Sequence, residues 1–165
     1  MAYLLDANIF IQAKNEYYGF DLCPGFWNWL EQKSKAGEVF SIENVKKELT
    51  DGQDELSDWA KQKNSDFFLP FDAHAGVIMG SISDWVQNSD YKDNAKRDFL
   101  SVADPWLIAY AKAHNHTVVS HEVFNPLERR RIRIPVVCNA FQVPYLRTFA
   151  MLRQEEASFI LPPDD

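Results

Sequence analysis

The sequence predicts a single α/β domain over residues 1–165, with a central, mainly parallel sheet flanked by helices. Short apolar runs rich in β-branched residues alternate along the chain with longer segments of helical spacing. Such alternation is typical of parallel sheets, because two parallel strands need a crossover connection between them. With 165 residues, 46% of them hydrophobic, the chain can bury one substantial core but not two.

The first half of the chain contains three expected strands separated by helices. Lysine, alanine and glycine in succession are a common helix end, and a proline limits any strand to an edge or a short run. The expected elements are a strand at 3–5, a helix through Phe26 and Leu30 that stops at Lys35-Ala36-Gly37, a strand at 39–42, a helix with Val45 and Leu49 on one face that breaks near Gly52, a helix resuming through Leu56 and Trp59, and a brief strand within 67–71.

The second half predicts two further helices and two further strands. Aspartate is a favoured N-cap, and proline is tolerated at the first position of a helix. The expected elements are a helix capped by Asp72 with a buried stripe of Ile78, Ile82 and Trp85, a polar surface connection over 87–96, a buried helix capped by Asp104 with Pro105 at its first position, a strand at 117–120, and an edge strand at Arg133-Ile134.

Composition narrows the possible functions. The formal net charge of −7 repels nucleic acid overall, so any contact with it must be local. The two cysteines, Cys23 and Cys138, are far apart and argue against a disulfide framework or a thiolate zinc site. No apolar stretch is long enough to span a bilayer, and the first residues do not resemble a secretory signal. We therefore expect a cytoplasmic protein without a membrane association.

Four carboxylates follow or border the predicted strands. Asp6 comes directly after the first strand, and Glu122 follows the strand at 117–120. Asp104 heads the helix that leads into that strand, and Glu48 lies one turn into the helix after the second strand. Because ligands of open parallel sheets gather at the carboxyl ends of the strands, we expect these four side chains to converge there.

Converging carboxylates raise one another's pKa values unless a cation compensates their charge. Oxygen ligands suit Mg²⁺ or Mn²⁺, which also bind phosphates. Two such ions, about 4 Å apart, support in-line cleavage of a phosphodiester. The pattern therefore predicts a metal-dependent phosphodiesterase site.

Each acid also has a simpler interpretation. Asp6 could form an Asx turn with the backbone near Asn8, and Asp104 could serve as a helix cap alone. Glu48 could be a solvated helix residue, and Glu122 an ordinary loop acid.

Four stretches resemble, in order, the motifs of PIN-domain ribonucleases, especially toxins of the VapC type: YLLDANIF, VFSIENVKKEL, VADPWLIAYAKAH and TVVSHEVF. The resemblance implies a three-layer PIN-like domain, divalent metal, RNA cleavage and a small antitoxin partner. It matches Asp6, Glu48 and Asp104 to the metal-binding acids, and Asn8 and Ser120 to auxiliary polar residues. Glu122 stands where many members have Asp, and a longer side chain there would alter a second metal site.

A basic run and a histidine flank this pattern. Arg129, Arg130, Arg131 and Arg133 could contact RNA phosphates, or they could form a solvated edge or a surface for an acidic partner. His121 could assist proton transfer, but neighbouring side chains on an extended segment point to opposite faces, so we do not expect it to share a pocket with Glu122.

Three functions remain open at this stage. The first is an Mg²⁺- or Mn²⁺-dependent endoribonuclease, the toxin of a toxin–antitoxin pair, with RNA as substrate and a possible homodimer. The second is a receiver-like signalling module, which the single Asp after the first strand disfavours. The third is a non-catalytic PIN-like scaffold that binds proteins.

Overall fold

The structure is a computed structural model that describes residues 1–164. Within that range five strands alternate with nine helices. In chain order the elements are β1 (Tyr3–Leu5), α1 (Ala7–Asn15), α2 (Pro24–Lys35), β2 (Val39–Ile42), α3 (Glu43–Thr50), α4 (Glu55–Lys61), β3 (Phe68–Leu69), α5 (Ala73–Gln87), α6 (Asp93–Leu100), α7 (Asp104–His114), β4 (Thr117–Val119), α8 (Ile134–Phe141), β5 (Tyr145–Leu146) and α9 (Thr148–Gln154).

The five strands form one parallel sheet in the order β3-β2-β1-β4-β5. β1 lies in the middle, where Tyr3 pairs with Val39 of β2 and with Thr117 of β4. Leu4 and Leu5 are fully buried, as expected for a central strand covered by helices on both faces. The carboxyl ends of β1, β2 and β4 therefore share one edge of the sheet. The predicted α/β fold with a parallel sheet is confirmed.

Helix α7 is the most buried helix and packs along α5. Leu107, Ile108 and Ala111 are fully buried, in line with the helix being apolar on nearly every side. Asn115 ends the helix in the left-handed conformation, after which the chain enters β4. Residues at the start of α7 are thereby held against the sheet edge.

An aromatic cluster fixes α1 and α4 over the sheet. The ring of Phe10 lies 5.8 Å from that of Trp59 and 6.0 Å from that of Phe68, centroid to centroid. Trp27 of α2 contacts Trp59 edge to face at 4.9 Å. Such pairs add stabilisation beyond the burial of their area, so α1 has a rigid base close to the sheet edge.

One predicted strand and one predicted helix cap are wrong, and both errors involve proline or aspartate at a helix start. Arg133-Ile134 is not an edge strand, because α8 begins at Ile134 and Pro135 occupies its first turn, where a missing N–H costs nothing. Asp104 is not an N-cap: it is itself the first residue of α7, and the cap position belongs to Ala103, whose side chain cannot form a capping hydrogen bond. Asp72, by contrast, caps α5 as predicted and accepts a hydrogen bond from Ala75 N at 2.8 Å.

Four elements escaped the sequence patterns. Helix α1 follows Asp6, where no helix was expected, α6 begins within the stretch expected to be a surface connection, and β5 and α9 lie in a segment without a predicted element. Among residues 1–164, no helix is both long and apolar enough to cross a membrane.

Candidate active site

Asp6 lies at the carboxyl end of β1 with only 1% of its surface exposed. Its backbone N–H donates to Val119 O at 3.0 Å, which ties the end of β1 to β4. One carboxylate oxygen accepts from Ser120 Oγ at 3.2 Å, and the other accepts from Asn8 N at 3.4 Å as the cap of α1. The Asx-type contact to Asn8 thus exists, but it is long and engages one oxygen only.

The pKa of Asp6 is raised to about 6. Burial is the largest cause, and the negative charges of Glu122 and Glu48 add to it. The hydrogen bonds from Asn8 N and Ser120 Oγ favour the ionised form and oppose the rise. Burial and repulsion therefore outweigh the local hydrogen bonds, and the position disfavours a carboxylate that has no cation nearby.

The pKa of Asp104 is raised further than that of Asp6. Burial raises its pKa to about 8, with the charges of Asp6, Glu122 and Glu48 as further causes. The guanidinium of Arg131 lowers it, as the smallest contribution. Neither Asp6 nor Asp104 forms an ion pair with a basic side chain of the described chain, residues 1–164.

Glu48 reaches the start of α7 from α3. Its Oε1 accepts a hydrogen bond from Ala103 N at 2.8 Å, although the residue is exposed. The N–H groups at the start of a helix have no partner within the helix, so this bond helps to hold the first turn of α7. Glu48 therefore positions Asp104 through the backbone and also brings its own charge to the same crevice.

A crevice of about 550 Å³ opens at this sheet edge. It brings together three of the four predicted acids, Asp6, Glu48 and Asp104, with Asn8 beside them. Two further acids line it that the sequence patterns did not single out, Asp51 after α3 and Asp98 on α6. Asp98 could have been found from the four-residue spacing of Ala95 and Phe99, which marks an amphipathic helix through that stretch.

Glu122 does not line the crevice. Its side chain is 7% exposed, and both carboxylate oxygens accept hydrogen bonds: Oε1 from Arg131 at 2.7 Å and Oε2 from Ile134 N at 2.6 Å. Its own N–H donates to Ser120 Oγ at 3.2 Å. The residue is therefore connected to Asp6 through Ser120, while its charge is already compensated by Arg131 and by the start of α8.

The arginine run is mostly engaged within the protein. Arg129 pairs with Asp90 at 3.0 Å, and Arg133 pairs with Glu128 at 2.6 Å. Arg131 and the exposed Arg130 line the crevice, and Arg130 forms no ion pair with any residue in 1–164. Of the four, Arg130 has the guanidinium with the least competition for a bound phosphate.

The donor set fits a hard divalent cation that keeps much of its own water. Asp6 and Asp104 offer only oxygen, the ligand type of Mg²⁺ and Mn²⁺. No group of three or more His, Cys, Asp and Glu side chains in residues 1–164 is arranged to hold an ion by itself. Mg²⁺ typically binds through one or two carboxylates and retains several waters, so a two-aspartate site is compatible with it.

The chain belongs to a protein family described as a domain of unknown function, DUF4411, whose model matches residues 3–159. A search of curated proteins finds no match.

One solved structure with a similar fold is the crystal structure of VapBC2 from Rickettsia felis bound to a DNA fragment from their promoter. The superposition has a TM-score of 0.52 at 17% sequence identity, and it covers 89% of this chain and 98% of that chain. At this identity the similarity establishes the fold alone. The chain therefore has the PIN-like α/β fold expected from its sequence.

Proposed function

We propose that this protein is a divalent-metal-dependent endoribonuclease and the toxin of a toxin–antitoxin pair. One observation carries the proposal: Asp6 and Asp104 line one crevice at a sheet edge in surroundings that raise both pKa values, and no basic side chain within residues 1–164 is paired to either. Burying acids in this way destabilises the apoprotein, and a bound cation would remove the cost. Perturbed carboxylates in a crevice are typical of functional sites.

Asp6 and Asp104 are the residues that would hold Mg²⁺ or Mn²⁺, with Glu48 beside them. When bound, the ion supplies a Lewis acid and a lowered pKa for an attacking water. Ser120 Oγ and Asn8 N orient the Asp6 carboxylate, and Glu48 orients the first turn of α7 through Ala103 N. Without a cation, burial and the neighbouring carboxylates favour the protonated form of Asp104, because they raise its pKa.

We assign Glu122 a different role from the other acids. Both of its oxygens already accept strong hydrogen bonds, so coordinating an ion would require it to give up Arg131 or Ile134 N. We infer that Glu122 anchors the loop between β4 and α8 and holds Arg131 at the crevice. There the guanidinium can attract a phosphate and offset part of the carboxylate charge.

The partner proposals come from the comparison and from the resemblance. The similar solved structure is a VapBC2 complex bound to promoter DNA. By analogy we propose a small antitoxin that binds this chain and limits its activity. A homodimer, which the content of tryptophan and phenylalanine allows, stays a separate proposal. The substrate we propose is RNA, with its phosphates drawn to Arg130 and Arg131 in an otherwise acidic protein.

The experiment is cleavage of a labelled single-stranded RNA by the purified protein with Mn²⁺, with Mg²⁺ and with EDTA. We expect cleavage with either metal and none with EDTA. Asp6→Asn and Asp104→Asn should abolish it. The matched control is Asp84→Asn, an exposed acid on α5 without an ion pair in the described range, and it should cleave normally. Equal activity of all three variants, or activity in EDTA, would refute the proposal.

A second candidate is a non-catalytic PIN-like scaffold that binds protein partners. The engagement of Glu122 by Arg131 favours it, since a nuclease that needs four free acids would be disabled here. In that case the protein would bind neither Mn²⁺ nor RNA, while the Asp6→Asn variant would keep its protein partner.

A further inference from the structure

A second cavity lies beside the acidic crevice, on a neighbouring face of α1. Its volume is about 510 Å³, within the usual range for small-ligand pockets. Asn8 and Ile11 line the crevice, whereas Ile9 and Gln12 line this second cavity, so one helix separates the two. We call it the α1–α9 cavity, because the start of α9 forms its opposite wall.

The α1–α9 cavity is joined to the crevice through three consecutive residues. The hydroxyl of Ser120 donates to Asp6, and Glu122 donates its N–H to the same hydroxyl. His121 lies between them, and its side chain lines the cavity, with Nε2 3.4 Å from Thr148 Oγ1. Just after β4, Ser120 therefore faces Asp6 of the crevice while His121 faces the cavity, because neighbouring side chains of an extended backbone point to opposite sides.

Two arginines give the cavity a local positive charge. Arg147 and Arg153 both line it, and neither forms an ion pair with another residue of the described range 1–164. Arg147 donates only to the backbone oxygen of His121, at 3.3 Å. One acid, Glu16, is also part of the lining. In a chain with a net charge of −7, two guanidinium groups that form no ion pair within residues 1–164 favour an anionic ligand.

Two aromatic rings in the cavity remain open to solvent. Tyr17 is 68% exposed and Phe149 is 46% exposed, and their ring centroids lie 6.0 Å apart in an edge-on arrangement. Tyr18, by contrast, is stacked on Phe26 at 4.4 Å and belongs to the packing of the fold. Exposed rings beside basic groups are the combination that binds single-stranded nucleic acid, through stacking on the bases and contacts to the phosphates.

We propose that the α1–α9 cavity takes up one nucleotide of single-stranded RNA that flanks the cleaved phosphate. The base stacks on Phe149 or Tyr17, and the phosphate binds Arg147 and Arg153. The inference rests on the proposed ribonuclease function and adds to it a binding site for a nucleotide beside the cleaved phosphate. That nucleotide must lie outside a duplex, because a base inside a duplex already has both faces stacked on its neighbours. Double-stranded RNA of the same sequence is therefore a weaker ligand.

The test is the affinity of the full chain for a fluorescein-labelled single-stranded RNA of mixed sequence, measured by fluorescence anisotropy in EDTA so that no cleavage occurs. Phe149→Ala should weaken binding by roughly fivefold or more, the loss expected for one stacked base. Phe149→Trp should retain the affinity. Arg153→Gln should reduce the slope of log affinity against log salt by about 1.

Two matched controls separate this site from general effects. Phe124→Ala removes a ring that is 45% exposed and lines a different cavity, and Lys61→Gln removes an exposed charge on α4. Both should bind RNA like the wild type. Thermal unfolding of each variant checks that it is folded. If Phe149→Ala is unfolded, the affinity of Phe149→Trp still tests the stacking.

The outcomes distinguish this inference from the proposed function. If the wild type cleaves RNA but Phe149→Ala and Arg153→Gln bind it as the controls do, the cavity proposal is overturned and the nuclease proposal stands. If Phe149→Ala changes the oligomeric state in sedimentation while RNA affinity is unchanged, the cavity is a protein contact and the proposal is also overturned. A wild type that neither binds nor cleaves RNA overturns both.

Discussion

The carboxylate of Glu122 accepts a hydrogen bond from the Arg131 guanidinium at 2.7 Å, although the sequence patterns place this acid among the metal ligands. Its second oxygen is held by Ile134 N at 2.6 Å. Both oxygens of Glu122 are thus bound within the segment between β4 and the start of α8. Asp6 and Asp104 remain as the pair without paired basic side chains in the described residues.

The first prediction concerns this ion pair and fold stability. Arg131→Gln leaves the buried Glu122 carboxylate with one charged partner fewer, so it should lower the free energy of unfolding by about 1–2 kcal/mol. Because Arg131 is exposed, the expected loss in the free energy of unfolding is small. Arg130→Gln, which removes a neighbouring guanidinium without an ion pair in the described residues, should change it by less than about 0.5 kcal/mol. Urea unfolding measures both, and equal effects would show that Glu122 does not depend on Arg131.

The second prediction concerns pH and stability without metal. The pKa of Asp104 is raised to about 8 in the folded protein, above its ordinary value of 3.8. Between those values the folded state binds more protons than the unfolded state, so stability falls as pH rises from about 4 to 8. Asp104→Asn removes this loss and should stabilise the apoprotein at pH 8 by about 2 kcal/mol or more.

Asp54 offers the opposite case as a control. Hydrogen bonds from Ser57 N and Lys14 lower its pKa, and it caps α4. Asp54 contributes to folding stability at pH values above the pKa that it has in the unfolded chain. Asp54→Asn should therefore not stabilise the protein at pH 8. A destabilised Asp104→Asn protein at that pH would contradict the assignment of Asp104 as a strained, functional acid.

The third prediction concerns Ser120 as a positioning residue. Its hydroxyl donates to Asp6 and favours the ionised form, so Ser120→Ala should raise the pKa of Asp6 further. The acidic limb of the pH profile for RNA cleavage should then move up by roughly half to one pH unit. Ser81→Ala, an exposed serine on α5, should leave the profile in place. A lower rate at every pH with an unshifted profile would mean that Ser120 acts on packing instead.

The fourth prediction compares the contributions of Arg130 and Arg133 to RNA affinity. Arg130 lines the crevice without an ion-pair partner in the described chain, whereas Arg133 is held by Glu128 through two hydrogen bonds. Arg130→Gln should therefore weaken binding across RNA sequences and reduce the salt slope by about 1. Arg133→Gln should have the smaller effect on affinity. A larger loss of affinity for Arg133→Gln than for Arg130→Gln would assign the phosphate contact to the far side of the loop.

The sequence predicts most strands of the sheet because the residue patterns that indicate a strand are local. β2 lies at the expected residues 39–42, and α7 follows the apolar run that begins at Asp104. The helices and the strand that were missed are short elements whose packing depends on distant parts of the chain: α1, α6, β5 and α9. The strand expected at Arg133-Ile134 failed because a proline suits the first turn of a helix as well as the edge of a sheet.

The site was predictable to the extent that it follows from topology. Parallel strands place Asp6 and the start of α7 at one edge, and the structure brings Asp6, Glu48 and Asp104 into one crevice there. The state of Glu122 was not predictable, because it depends on how the loop folds Arg131 back over nine residues. The roles of all these residues in metal binding and RNA contact remain predictions.

The most direct test of the account is a crystal of this protein soaked in Mn²⁺ and measured at a wavelength where manganese scatters anomalously. We predict an anomalous peak within coordination distance of carboxylate oxygens of both Asp6 and Asp104, with Glu122 still bound to Arg131. A peak elsewhere, or no peak while Asp6 and Asp104 remain side by side, would contradict the claim that this buried pair exists to bind a divalent cation.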